Sequence, residues 1–308
     1  MNIKNFLKWS FSLLIIFGTI LACGQLSAEY DSQTWMARVL DRTKLCEMNI
    51  PGTHNSGSQK MSLGKGISAS YQDDSISDQL KNGIRCLDIE INSDLSVNYG
   101  GVPCYKSTFE KLYLEDVFGY VSDFLKRNSS ETVIIRLKTE AEEEEDFIKK
   151  IDKELWKHKN IYLPWKNPSD LTLGDTRGKM VIFSGIKGIL KAYIYDRWAE
   201  NCPCWQLNIG KSPALLQDAF GDKNEIEKMS SIEEFYKIVW GKYSFTGIFY
   251  INFTGCSGSR WPKLAAKNVN KSLKSFVEKN RTKKFGMIFM DNPDSSLICD
   301  IYNLNHLF

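Results

Sequence analysis

The sequence predicts an α/β fold, a TIM-type (β/α) barrel whose closure is irregular or incomplete, and three observations carry that expectation. Short runs rich in Val, Ile, Leu and Phe alternate with amphipathic stretches along most of the 308-residue chain, the order that produces a mainly parallel sheet covered by helices. Seven strand candidates in one domain make a closed barrel the economical arrangement. No low-complexity linker, heptad run or internal repeat divides the chain, so residues 29–308 read as one domain.

The first stretch lies outside that domain. Lys4 and Lys8 precede an apolar run from Phe11 to Ala22 that is short for a bilayer span and ends among small residues, the pattern of a secretory signal. Residues 1–28 are expected to be a signal peptide, cleaved after Ala22, which would leave Cys23 open to acylation, or after Ala28. The mature chain is then secreted or extracytoplasmic, with membrane anchoring at the N-terminus as the variant. A formal net charge of +3 gives no pull toward nucleic acid, and a monomer is expected. Eight cysteines, at 23, 46, 86, 104, 202, 204, 256 and 299, allow disulfides in an oxidising compartment, with a pairing the spacing does not reveal. Cys202-Pro203-Cys204 has no second pair that would complete a zinc site.

The strand candidates are Cys46 to Ile50, Arg85 to Ile91, Leu95 to Asn98, Thr132 to Leu137, Met180 to Ser184, Gly247 to Phe253 and Phe285 to Met290, each dense in β-formers. Helix candidates between them are Ser75 to Asn82, Leu114 to Arg127, Glu140 to His158, Ser231 to Trp240 and Ala265 to Arg281. In Leu114 to Arg127 the residues Leu114, Val117, Phe118, Val121 and Leu125 recur at helical spacing, with Glu115, Asp116, Asp123 and Lys126 facing away.

In such a barrel, functional groups gather where strands end. After the first strand, Pro51-Gly52 should stop the ladder and present Thr53, His54 and Asn55; an imidazole, with an ordinary pKa of about 6.5, suits a base. Asp88 and Glu90, two apart on the second strand, share a face. In an apolar barrel they require a cation, and with Asn55 nearby they suggest an oxygen-rich Ca²⁺ site, unless Arg85 takes them. Lys138 can meet a phosphate as a point charge, and Glu140 on the same face is either a metal ligand or the start of an acidic helix. Asp291 ends the last strand, where a carboxylate can hold an imidazole in one tautomer.

The segments IPGTHNS, GIRCLDIEIN, SETVIIRLK, LGDTRGKMVIF, LLQDAF, FYINFTG and FGMIFMDNPD, in that order, resemble the X domain of phosphatidylinositol-specific phospholipase C, and the length is similar to that of the small secreted bacterial-type enzymes. The resemblance spans Trp35 to Leu304. It implies a phosphoric diester hydrolase or lyase that acts on phosphatidylinositol or GPI-type lipids at a membrane surface, or on GPI-anchored proteins, and releases diacylglycerol and a cyclic inositol phosphate. By position, His54 matches the base that deprotonates the inositol 2-hydroxyl, Asp291 matches its carboxylate partner, and Lys138, Asp218 and Phe220 fall at the substrate. Asp88 matches an acid of the family, and Asn55 and Glu90 resemble the calcium ligands of metal-dependent members, whereas Lys138 resembles the metal-independent type. Trp261 and Pro262 fall in the loop near a membrane-facing mouth.

One departure stands out. Tyr99 occupies the place of the family's second His, the general acid, and a phenol with an ordinary pKa of about 10 is a poorer proton donor. His158 and His306 are the other imidazoles that could replace it. The competing reading is therefore a secreted lipid- or inositol-phosphate-binding pseudoenzyme. A glycerophosphodiesterase or sphingomyelinase D-like barrel would use similar phosphate chemistry but fits the flanking segments less well.

Overall fold

The structure, a computed structural model, describes residues 32–61, 70–199, 201–221, 224–242, 246–256 and 262–306; the expected signal peptide, Cys23 and Trp261 lie outside them. Among the described residues one sheet contains β1 (Ile50–Thr53), β2 (Cys86–Ile91), β3 (Val97–Tyr99), β4 (Val102–Pro103), β5 (Thr132–Lys138), β6 (Lys179–Ser184), β7 (Tyr193–Ile194), β8 (Cys202–Ile209), β9 (Ser212–Asp218), β10 (Phe249–Phe253) and β11 (Met287–Met290). Between and after them come helices α1 (Ile76–Lys81), α2 (Leu114–Arg127), α3 (Glu145–Lys157), α4 (Leu173–Thr176), α5 (Glu225–Lys242), α6 (Pro262–Lys279) and α7 (Ser295–Asn303).

The strand order β7-β6-β5-β2-β1-β11-β10-β9-β8 sets the last parallel strand beside the first. The ring closes between β7 and β8 through an isolated Tyr195–Ile209 bridge, flanked by hydrogen bonds from Gly210 N to Ile194 O and from Asp196 N to Asn208 O. This is the expected barrel, and its irregularity has a cause: β8 runs antiparallel to β9, so closure relies on a short contact instead of a full parallel ladder. β2 and β11 are buried at every position, as strands covered on both faces must be. In α2 the buried residues Leu114, Val117, Phe118, Val121 and Leu125 are those expected from periodicity, joined by Phe124.

Three local differences have physical reasons. Leu45–Glu47 is a 3₁₀ turn and the first strand is Ile50–Thr53, so Pro51 and Gly52 lie inside the ladder. Pro51 is tolerated there because it faces β2, whose pairing with β1 begins only at Gly52–Cys86. Its missing N–H therefore breaks no ladder bond, while its carbonyl accepts from Arg85 N. Gly52 is required, since a Cβ on it would sit 2.6 Å from the Cys86 Cβ. The β8–β9 hairpin escaped periodicity because Pro203 and Pro213 interrupt its pattern. Among the described residues Cys46, Cys86, Cys104, Cys202, Cys204 and Cys299 are free thiols, so no bridge the cysteine count allowed joins any two of these six. No helix among the described residues is long and apolar enough to cross a membrane.

The amino-terminal end of the barrel is sealed by charge. Arg85 Nε donates to Glu131 Oε2 at 2.9 Å, with neither side chain exposed. The other guanidinium hydrogens go to the carbonyls of Leu80, Ile84, Ser32 and Gln33, and its plane lies 4.5 Å from the Phe124 ring. Arg85 therefore does not serve Asp88 or Glu90. Breaking one partner of such a pair strands a buried charge. Glu131→Gln is expected to lower the folding free energy by about 3 kcal/mol, seen as a lower urea midpoint at unchanged slope.

Candidate active site

Register creates the first pair. Thr53 on β1 lies beside Met290 on β11, so the residues that follow, His54 and Asp291, meet at the carboxyl end of the barrel. His54 Nδ1 is 2.9 Å from Asp291 Oδ1. A carboxylate oxygen accepts, so Nδ1 carries a proton, and in the neutral imidazole the lone pair is on Nε2. Asn55 leaves β1 with φ 46°, a left-handed turn that Asn accepts more readily than most residues. That turn brings its side-chain Nδ2 to 2.8 Å from His54 Nε2 and its backbone N–H to 3.2 Å from Asp88 Oδ2. Burial by itself disfavours the imidazolium, but Asp291, with Asp88 behind it, outweighs burial and holds the His54 pKa above its ordinary value. Gly255 closes behind the pair; a Cβ there would lie 2.8 Å from Asp291 Oδ2.

A second register relation neutralises the two acids of β2. Asp88 lies beside Arg136 and Glu90 beside Lys138 on β5. Arg136 Nη1 donates to Asp88 Oδ1 at 2.7 Å, and Lys138 Nζ lies 3.0 Å from Glu90 Oε2. Glu90 Oε1 accepts from Gly100 N. Burial alone would push the Asp88 carboxyl up, but Arg136, Lys138 and His54 overcome it and set its pKa to about 2. For Glu90 burial dominates, and its pKa stays above the ordinary carboxylate value even beside Lys138.

Asn55, Asp88 and Glu90 do not fit the Ca²⁺ site expected of them. Calcium takes about six to eight oxygens, yet each carboxylate oxygen of Asp88 and Glu90 already accepts from Arg136, Asn55, Gly100 or Lys138. The positions a cation would fill are held by a guanidinium and an ammonium. Asn55 Oδ1 is buried without a hydrogen-bond partner, but it stands alone. No group of three or more His, Cys, Asp or Glu side chains among the described residues converges as metal ligands do.

The pairs border a cavity of about 440 Å³ lined by His54, Asp291, Tyr99, Glu90, Lys138, Glu140, Asp218 and Phe220, together with Tyr71, Arg136, Trp198 and Phe253. Asn55 and Asp88 are buried and lie beneath it. The Arg136 guanidinium stacks 3.7 Å from the Trp198 ring, whose Nε1 donates to Asp218 Oδ2 at 3.0 Å. Phe220 is 42% exposed at the rim. His158 and His306 are elsewhere: His158 is bonded to Ser122 beside Asn160, which pairs with the start of β6, and His306 follows Asn305, which is bonded to Asn49 below β1. Both belong to the amino-terminal end of the barrel, so neither replaces the missing acid.

Sequence reasoning missed Arg136, Trp198, Phe253 and Tyr71. A signal for Arg136 existed: charges two apart in both Asp88–Glu90 and Arg136–Lys138 mark same-face pairs on strands that can lie side by side.

Residues 48–185 match the family Phosphatidylinositol-specific phospholipase C, X domain. The matched segment runs from β1 to β6 and includes His54, Asn55, Asp88, Glu90, Tyr99 and Lys138, whereas Asp218, Phe220 and Asp291 lie beyond the match. Over 286 residues the chain is 25% identical to the 1-phosphatidylinositol phosphodiesterase of Listeria monocytogenes, covering 89% of this chain and 85% of that protein. Over 284 residues it is 25% identical to the protein of the same name from Staphylococcus aureus strain Newman, covering 84% and 88%. Its structure is similar to a phosphatidylinositol-specific phospholipase C from S. aureus at a TM-score of 0.74 and 22% identity, covering 89% of this chain and 98% of that one. The L. monocytogenes enzyme gives 0.72 and 23%, with the same coverage. The structural likenesses show a barrel of the same fold.

The depressed pKa of Asp88 has a thermodynamic consequence. A carboxyl held at about 2 when folded, against 3.8 ordinarily, stabilises the protein above its unfolded pKa, and that stabilisation is lost as pH falls from about 4 to about 2. Its size is about 2 kcal/mol. In urea titrations the stability gap between the native chain and Asp88→Asn should be widest near neutral pH and should shrink across that acid window.

Proposed function

We propose that the protein is a phosphodiesterase that cleaves phosphatidylinositol to diacylglycerol and a cyclic inositol phosphate, with His54 as general base and two protein cations in place of calcium. The observation that carries this reading is the His54–Asp291 pair, placed at the wall of a cavity that Arg136 and Lys138 also line.

In this reading the inositol 2-hydroxyl displaces the Asn55 amide from Nε2 and gives up its proton there. Asp291 stabilises the imidazolium that results. The oxygen attacks phosphorus, and Arg136 and Lys138, already fixed by Asp88 and Glu90, stabilise the charge growing on the phosphoryl oxygens. Because the cations are held before substrate arrives, little reorganisation is required at the moment of reaction. Asp218 and the rim residue Phe220 receive the inositol ring. The substrate is drawn from a membrane surface containing phosphatidylinositol. GPI-type anchors present the same diester and fall within the substrate range. The signal-like segment before residue 29 would deliver the chain, as a monomer, to the outside of the cell.

A second reading, a lipid- or inositol-phosphate-binding pseudoenzyme, is favoured by one observation: among the described residues His54 is the one imidazole lining the cavity. The test is release of diacylglycerol and cyclic inositol phosphate from phosphatidylinositol vesicles by the mature chain, with calcium and with chelator. Release indifferent to chelator is expected, and His54→Ala should reduce it about 10³-fold with the folded structure retained, checked by circular dichroism. Chelator-sensitive release would assign the charge stabilisation to a metal; vesicle binding without release would establish the binding protein.

A further inference from the structure

Departure of diacylglycerol leaves an alkoxide, which requires a proton, and no second imidazole among the described residues lines the cavity to supply it. We infer that two phenols do so together: Tyr99 protonates the departing glyceride oxygen, and Tyr71 is the positioning residue that orients Tyr99 and returns its proton. The inference rests on the phosphodiesterase reading above.

The two rings are built into the site from separate segments. Tyr99 ends β3, which is paired to β2 through Glu90–Asn98, and the residue after it is tied to the Glu90 carboxylate by the Gly100 N–H. Tyr71 is fixed from the other side. Its backbone N–H donates to Ser58 Oγ, and the neighbouring Gln72 amide donates to the carbonyls of His54 and Met290 at 2.7 and 3.0 Å. The rings meet edge to face at 4.8 Å, and each also meets the His54 ring, at 5.6 Å for Tyr71 and 5.9 Å for Tyr99. Tyr71 Oη donates to Tyr99 Oη at 3.4 Å. A hydroxyl oxygen that accepts from one neighbour directs its own hydrogen elsewhere, and the cavity is what Tyr99 faces.

The step balances without a further reagent. The inositol oxygen bonds to phosphorus as the bond from phosphorus to the glyceride oxygen breaks. The electron pair of that bond stays on the glyceride oxygen and takes the Tyr99 proton. The Tyr99 phenolate takes the proton of Tyr71, water reprotonates Tyr71, and His54 Nε2 returns its proton to water, so no proton is gained or lost overall.

The ionisable groups facing Tyr99 are Tyr71, Glu90, Lys138, His54 and Asp291. Burial first, then Tyr71 and the two carboxylates, raise the Tyr99 pKa above its ordinary value. A phenol in this position stays protonated across the working range, whereas an imidazolium acid would lose its proton near neutrality. The rate is therefore expected to rise as His54 becomes a free base and to show no falling limb above it.

The experiment compares two esters, phosphatidylinositol in mixed micelles and an inositol 4-nitrophenyl phosphate, whose leaving group departs without a proton. On the lipid, Tyr99→Phe is expected to lose about 10² to 10³-fold in kcat and Tyr71→Phe about 10-fold with KM unchanged. Losses on the aryl ester should be smaller by at least about 10-fold. Tyr99→His should recover turnover and acquire a bell-shaped pH profile. Equal losses on the two esters, or an unchanged profile in Tyr99→His, would assign the rings to packing and overturn the inference alone. A native chain that cleaves neither ester overturns the phosphodiesterase reading, and this inference with it.

Discussion

Two acid–base pairs in the mouth of the barrel, Asp88 with Arg136 and Glu90 with Lys138, are the constraint on which the rest of the site depends. Four charges so near an apolar barrel interior are affordable only because they neutralise one another across adjacent strands. Their registry follows from β2 and β5 lying side by side, and it places both cations before any substrate arrives. Asp88 also receives the Asn55 backbone N–H, so the ladder reaches the residue that caps His54. Base, cations and acids form one connected network.

That network explains why the oxygen-rich pattern of Asn55, Asp88 and Glu90 does not make a metal site. An acid counts as a potential ligand only while its lone pairs are free, and here each carboxylate oxygen is committed to a protein donor. The sequence contained both halves of the answer, two acids on one strand and two bases on another, but nothing in it said that the strands would be neighbours. Pairing is a long-range relation: Asp88 and Arg136 are 48 residues apart.

The aromatic side chains give the network its shape. Trp198 covers the Arg136 guanidinium and ties down Asp218, while Phe253 stacks on Phe289 at 4.6 Å and abuts His54. A cation stacked on an indole face keeps its charge while excluding water, which raises the value of each fixed dipole in the pocket. The price is rigidity, and Gly255 shows how little space is left, because even a methyl group there would collide with the carboxylate that orients the base.

Local pattern by itself determined the barrel, α2 and most of the parallel strands, because hydrophobic periodicity and strand ends are written in neighbouring residues. The pairing of His54 with Asp291, 237 residues apart, was legible only through the resemblance of the whole motif order. Tertiary structure decided the rest. Pro51 and Gly52 looked like a stop and proved to be ladder, since the cost of a missing N–H depends on where the next strand begins. The β8–β9 hairpin lay hidden behind two prolines. Arg136, Trp198 and Tyr71 entered the site because strand order and loop return brought them there, and no spacing rule within one segment can express a contact between segments. Tyr99 shows both sides: its identity at that position was legible, but its hydroxyl partner came from a loop 28 residues away, and only the closed barrel brings the two phenols against His54.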